Sequence, residues 1–199
     1  MNKNKEFVCT YIQSYCMLYP PEPMMVLGKL PGTRYSGQFY LANGLYNVEF
    51  LEAVAAEFHR IVKNNIGHFD FQLAGVDWPA CPLLTGLPIF LEKNHNLRIN
   101  SFLIKNKRKT YAFNNYIEGM PNKLPVLMVN DVCNSTNAYD YGRRVLLAEK
   151  LETLPFIFAV MNKYRHFDSA TAFTEDRYLK NDYAPLSVVT GDDVYDFKA

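Results

Sequence analysis

Leu124-Pro-Val-Leu-Met-Val-Asn-Asp-Val-Cys-Asn-Ser-Thr-Asn-Ala138 opens with an unbroken apolar run, Val126 to Val129, that closes on Asn130-Asp131. A short apolar run bounded by turn residues reads as a strand buried on both faces, as in a parallel sheet. Val132 and Cys133 continue the buried pattern. Asn134, Ser135, Thr136 and Asn137 then make a small polar turn. Val145, Leu146, Ala148 and Leu151 mark a helix from about Asn137 to Glu152. Two readings of this strand, turn and helix stand side by side. One is an ordinary connection of an α/β protein. The other is an anion site: turn N–H groups and hydroxyls face a phosphate, the helix dipole favours it, and the acid at the strand tip reaches ribose hydroxyls or Mg²⁺.

Upstream, Phe69 to Val76 reads as a first core strand, followed by the turn Asp77-Trp-Pro-Ala-Cys-Pro-Leu83. The next helical pattern is poor, limited by Pro88 and broken at Asn94-His-Asn96. Ser101 to Ile104 is a short strand. Lys105-Asn-Lys-Arg-Lys109 then sets four cations in five residues. Such a run is a solvated loop or a mobile basic lid that stabilises charge on a polyphosphate. Downstream, Pro155 to Met161 is another buried strand ending at Asn162-Lys163. Residues 162–184 are polar and irregular, Leu186 to Thr190 is a last strand, and Gly191-Asp-Asp-Val194 is a closing turn.

At the N-terminal end, Phe7, Val8, Tyr11, Ile12, Tyr15, Leu18 and Tyr19 share a helical face that Pro20, Pro21 and Pro23 terminate. Residues 28–47 are rich in turn formers. A second helix, about Val48 to Asn64, has Val48, Leu51, Val54, Ala55, Phe58, Ile61 and Val62 as its buried stripe. His59 falls on its flank, the place of a solvated or satisfied histidine rather than of a ligand. Trp78 either lines a pocket or packs.

The 199 residues suffice for one domain with a sizeable core. A formal charge of +1 leaves no basic footprint for nucleic acid. Cys9, Cys16, Cys81 and Cys133 show no metal-ligand spacing and no disulfide framework, so they read as free thiols of a reducing compartment. No apolar run approaches a membrane span and no signal-peptide pattern is present, so a cytoplasmic location is expected. No Ser/His/Asp or Cys/His arrangement suggests covalent catalysis.

The strand, Asn130-Asp131, the apolar pair Val132-Cys133 and the polar loop resemble the phosphoribosyl diphosphate (PRPP) motif of type I phosphoribosyltransferases. That motif is a hydrophobic strand, two acids, an apolar pair and a Thr/Gly-rich loop. In layout the chain is similar to the orotate phosphoribosyltransferases of that family. Ser36-Gly37, Phe39-Tyr40 and Gly44-Leu-Tyr-Asn47 carry the likeness in the N-terminal hood, Glu118-Gly119 carries it after the basic run, and it extends from about residue 28 to 194. The resemblance implies an α/β, Rossmann-like phosphoribosyltransferase fold: a central, mostly parallel sheet flanked by helices, with a small N-terminal hood. It implies a single domain over 1–199, with helix and hood in 1–47 and the α/β core in 48–199.

The activity implied is transfer of ribose 5-phosphate from Mg²⁺–PRPP to a pyrimidine-type or other nitrogen base, with release of diphosphate. PRPP would be held by Lys105, Lys107, Lys109, Tyr111, Asn130, Asp131, Asn134, Ser135, Thr136, Asn137 and Ala138. Lys109 and Asp131 are the candidate catalytic residues, and Asp131 reaches the metal indirectly, through PRPP. Asn134 and Lys163 would face the base, Lys163 standing where the family has an Arg that grips orotate. The partners implied are PRPP and a nitrogenous base, with neither nucleic acid nor membrane, in a homodimer. The chain departs from the pattern at Asn130, where the family has an acid, in the glycine-free loop 134–137, and at Pro79, which brings no N–H to the diphosphate turn. These departures keep a second expectation open: a member of the fold that has lost its chemistry and binds a nucleotide or a protein partner.

Overall fold

The computed structural model describes residues 2–18, 26–27, 34–35, 38–106, 115–133, 137–162 and 184–195. Helix α1 (Lys3–Tyr11) starts at Asn2, whose side chain accepts a hydrogen bond from the Lys5 N–H at 2.8 Å. It passes into a wider π-helical turn over Ile12–Cys16. The extra residue in that turn rotates the buried stripe. Val8, Cys9, Ile12 and Cys16 face the core, whereas Phe7, Tyr15 and Leu18, expected inside, are exposed. Two small antiparallel pairs follow: β1 (Met17–Leu18) with β4 (Gln38–Phe39), and β2 (Val26–Leu27) with β3 (Arg34–Tyr35). A short helix α2 (Ala42–Leu45) leads to α3 (Val48–Asn65), capped by the Asn47 side chain on the Phe50 N–H at 3.0 Å. Phe50, Ala53, Val54, Phe58, Ile61 and Val62 form its buried face, and Val48, expected there, lies on the first turn and is exposed.

The core then alternates strand and helix: β5 (Gln72–Val76), a single 3₁₀ turn Trp78–Ala80, α4 (Cys81–His95), β6 (Ser101–Ile104), β7 (Ile117–Glu118), β8 (Val126–Cys133), α5 (Asn137–Ala148), β9 (Thr153–Asn162), β10 (Ala184–Thr190) and the short α6 (Gly191–Tyr195). The strands form one sheet in the order β10-β9-β8-β5-β6-β7. Every neighbouring pair is parallel except β6 and β7. Helices α1, α3 and α4 cover one face with the larger apolar cluster, and α5 covers the other with a smaller one. Burial on both faces is why β8 reads as a continuous apolar run.

The first core strand begins at Gln72 rather than Phe69. Gln72 is fully buried and fully satisfied. Its Nε2 donates to the carbonyls of Asn122 and Leu124 at 3.0 and 2.7 Å, and its Oε1 accepts from Asn100 Nδ2 and the Asn122 N–H at 3.1 and 2.9 Å. A polar side chain with all its positions paired is what a buried amide requires.

The largest departure from expectation is α4. Its 15 residues run through Pro88 without ending. Proline removes the N–H that would bond the carbonyl four residues back, that of Leu84. Here the Ser101 hydroxyl from β6 donates to that carbonyl at 2.7 Å. The defect is repaired from the sheet, so the helix survives. Gly86 lets α3 come close, since a Cβ there would sit 2.5 Å from Leu51 Cδ2.

The two ends of the described chain are tied together. Cys9 Sγ donates to the Asp193 carbonyl, Gln13 Nε2 donates to the Val194 carbonyl at 2.8 Å, and Lys5 Nζ lies 2.9 Å from Asp193 Oδ1. Burial alone would raise the Asp193 carboxyl pKa. Hydrogen bonds from Lys5 and from the Thr190 N–H and hydroxyl outweigh it and hold the pKa below the usual value. A group depressed in the folded state stabilises above its unfolded pKa, and that contribution is lost as pH falls through the folded one. Urea-unfolding midpoints should therefore fall below about pH 4, by ~1 kcal/mol or less for this partly exposed group. Asp193→Asn should remove that part of the decline, and an unchanged slope in the variant would refute the assignment.

Candidate functional site at the carboxyl edge of the sheet

Parallel strands end together, and their carboxyl ends are where α/β sheets place ligands. Strands β5 and β8 are neighbours, yet α4 leaves β5 toward one face and α5 leaves β8 toward the other. The crevice opens where those connections part. Pairing of β5 with β8 is recorded as far as Ala74 opposite Met128, whereas β8 and β9 stay paired to Cys133 opposite Asn162. Asn130, Asp131, Val132 and Cys133 thus form a wall standing above the end of β5. Alternation slips in that wall: Val129 and Val132 both pack on the larger cluster, while Met128 and Cys133 belong to the smaller one. Asn130 and Asp131 fall at the slip and are half-buried. Asp131 Oδ1 accepts from the Val132 N–H at 2.7 Å, and Asn130 Nδ2 donates to the Val132 carbonyl at 3.1 Å.

Asp77 lies at the end of β5, with φ 61° and ψ −179°. That region is open to glycine and strained for a residue with a side chain. Its N–H donates to the Ile104 carbonyl at 2.9 Å, and its Oδ1 accepts from the Asn106 N–H at 3.0 Å. Trp78 follows and is 56% exposed. Gly75, one turn before, packs so closely that a Cβ there would lie 3.0 Å from the Val129 carbonyl oxygen.

Lys105 follows directly on β6, two strand spacings or about 10 Å from β8. Its side chain is 12% exposed. Nζ donates to Asn115 Oδ1 at 2.8 Å and lies 3.6 Å from Glu118 Oε1. Glu118 ends β7, and Gly119 turns away from it with φ +115°. Tyr141 of α5 donates its hydroxyl to the Lys105 carbonyl at 2.8 Å. Burial, the neighbouring Tyr116 and the Asp77 charge raise the Tyr141 pKa against Arg144, so the hydroxyl keeps its proton to donate.

Of the residues singled out from sequence, Asn130 and Asp131 stand on the β8 wall and Lys105 on the same sheet edge. Asn137 and Ala138 form the first turn of α5. Lys107, Lys109, Tyr111, Asn134, Ser135, Thr136 and Lys163 lie outside the described residues. Pro79 sits in the 3₁₀ turn, where Ala80 N–H rather than residue 79 closes onto the Asp77 carbonyl at 3.2 Å. Asp77 was legible only as a turn acid, and Tyr141 carried no local signal at all. A separate open cleft of about 430 Å³ is lined by Tyr11, Tyr40, Asn43, Tyr46 and Asn47, on the side of α1 and α2. His59, read as a solvated or satisfied histidine rather than a ligand, is half-buried and stacks on His95 with centroids 3.6 Å apart.

Among the described residues no helix is long and apolar enough to cross a membrane, and no cluster of three or more His, Cys, Asp or Glu is placed to hold a metal ion.

A six-stranded, mostly parallel sheet with this order, helices on both faces and an antiparallel edge strand after the basic run is the Rossmann-like fold of the phosphoribosyltransferases. The solved structures that share it include orotate phosphoribosyltransferase from Mycobacterium tuberculosis H37Rv in complex with Fe(III) dicitrate. It is 14% identical with a TM-score of 0.72, over 96% of this chain and 99% of that one. A phosphoribosyltransferase from Corynebacterium diphtheriae matches with a TM-score of 0.74 at 12% identity, over 97% of this chain and 99% of that one. Adenine phosphoribosyltransferase from Trypanosoma brucei, in complex with AMP, pyrophosphate and ribose-5-phosphate, matches with a TM-score of 0.59 at 14% identity, over 99% and 83%. At these identities the likeness is one of fold. No protein-family model matches the chain, and no curated protein matches it in sequence.

Proposed function

We propose that this chain is a PRPP-dependent phosphoribosyltransferase of the orotate-like type, passing ribose 5-phosphate to a pyrimidine-type or other nitrogen base and releasing diphosphate. The observation that carries the reading is Asp131. It is a half-buried carboxylate on the raised end of β8, beside the end of β5 and ahead of the N-terminus of α5. In this role its carboxylate accepts hydrogen bonds from the ribose hydroxyls, charge-assisted and hence strong. Residues 134–136 and the first N–H groups of α5 take the 5′-phosphate in this role. In the same role Lys105, Lys107 and Lys109 supply positive charge for the departing diphosphate, whose charge grows in an oxocarbenium-like transition state. Mg²⁺ enters as the counter-ion of PRPP, with Asp131 meeting it through the ribose. Solved structures of the same fold with PRPP, and with AMP, pyrophosphate and ribose-5-phosphate, support ligands of this class. A cytoplasmic homodimer completes the proposal.

A second reading, a nucleotide or protein binder without turnover, is favoured by specific features. The Asn130 amide donates to the Val132 carbonyl, Pro79 offers no N–H, and the first turn of α5 carries Asp140, which opposes a phosphate there. The single tryptophan at the crevice makes a direct test possible. Trp78 fluorescence should change saturably with Mg²⁺–PRPP, and diphosphate should then be released with one member of a nucleobase panel that includes orotate. Saturable binding with release on no base selects the second reading, and absence of any PRPP response removes the first.

A further inference from the structure

The root of the basic stretch is held from three elements at once. The Lys105 N–H donates to the Tyr116 carbonyl at 2.8 Å from the β7 side of the hairpin. The Lys105 carbonyl accepts from Tyr141 of α5 at 2.8 Å. The Asn106 N–H donates to Asp77 Oδ1 at 3.0 Å, at the end of β5. Tyr141 and Asp77 therefore approach residues 105–106 from the two elements that border the crevice. Neither bond belongs to a strand ladder or a helix, so neither is needed to form the sheet. The strain at Asp77 sharpens the point. Glycine would adopt φ 61°, ψ −179° without cost, and what the aspartate adds is its carboxylate oxygen on Asn106.

We infer that Asp77 and Tyr141 are positioning residues that fix the root from which the cations at 107–109 depart. Their consequence for catalysis rests on the proposed phosphoribosyl transfer, whereas the brace itself does not. Neither side chain needs to touch the substrate. Each acts through Lys105 and Asn106, and the effect expected on chemistry is that of a charged group displaced from the leaving diphosphate.

The test uses the full chain with Asp77→Gly, Asp77→Asn and Tyr141→Phe. Lys107, Arg108 and Lys109 are trypsin sites, so fragment masses report how often the root opens without any ligand. Loss of one hydrogen bond of about 1 kcal/mol predicts roughly fivefold faster cleavage there for Asp77→Gly and Tyr141→Phe. Asp77→Asn keeps an oxygen acceptor and should cleave at close to the wild-type rate. In diphosphate release, Asp77→Gly and Tyr141→Phe should lose about tenfold in kcat with KM for PRPP within about threefold, because misplacement reaches the transition state more than the ground state. Asp77→Asn should restore most of it. Asp77→Gly should also keep or raise the unfolding midpoint, a combination that a merely structural aspartate would not give. Unchanged cleavage in both Asp77→Gly and Tyr141→Phe overturns the brace. Faster cleavage with unchanged kcat in an active enzyme overturns the positioning role. A wild-type chain that neither binds nor turns over PRPP defeats the proposed function alone, and the brace then stands or falls on the trypsin rates.

Discussion

Asp131→Asn is expected to weaken PRPP binding by about a hundredfold or more, as two charge-assisted hydrogen bonds at ~1.5–3 kcal/mol each become neutral ones. The substitution isolates the charge. Asp131 Oδ1 accepts from the Val132 N–H at 2.7 Å, and an asparagine oxygen can keep that bond. The strand end therefore holds its shape while the ribose loses its anionic acceptor. Titration of Trp78 fluorescence with Mg²⁺–PRPP measures the loss, and the thermal midpoint, expected within about 2 °C of wild type, checks that the fold is intact. An affinity equal to the wild type would remove Asp131 from the site and, with it, the reading of the crevice proposed above. The expected effect is large because the chain has Asn130 where an acid pair would share the task, so no second carboxylate on β8 compensates.

Gly75→Ala should be the most damaging small change to the fold near the crevice, at about 2–4 kcal/mol. The added Cβ would fall on the Cβ of Ala80 and 3.0 Å from the carbonyl oxygen of Val129. Ala80 is fully buried in the 3₁₀ turn, and the Val129 carbonyl is backbone of the central strand β8. Neither is the far end of a flexible side chain, so relief requires moving the turn that carries Asp77 and Trp78. The variant should thus lose PRPP response along with stability, read by urea unfolding and by the same tryptophan. Adding Ala80→Gly removes the nearer obstacle and should recover part of both. A Gly75→Ala chain within about 0.5 kcal/mol of wild type would mean that the turn moves freely against β8.

Legibility in the sequence tracked how local each cause was. The strand β8 and the helix after it were readable because burial on both faces and a polar turn are written in consecutive residues. Strand β6 was readable from its own short apolar run, whereas Glu118-Gly119 and the mostly parallel order of the whole sheet came through the resemblance. Helix α4 was underestimated because its rescue lies elsewhere: the Ser101 hydroxyl that satisfies Leu84 is 17 residues away from it. The face of α1 was misassigned because a π-helical turn changes the period on which the reading depends. At the site, Asp131 and Lys105 were named from order along the chain. Asp77 and Tyr141 were not given roles, since their hydrogen bonds to residues 106 and 105 exist only once three elements meet.

The clasp between the first helix and the last strand region bears on how the chain is made. Cys9 and Gln13 bond carbonyls 184 and 181 residues further on, and Ile12 packs in the same cluster as Val188 and Val189. Those partners leave the ribosome long after α1 does. During synthesis α1 can settle on α3 early, with the Tyr11 and Phe50 rings 5.0 Å apart, but the clasp itself stays open until β10 emerges, and the nascent chain carries that uncovered part of its core to chaperones and proteases in the interval.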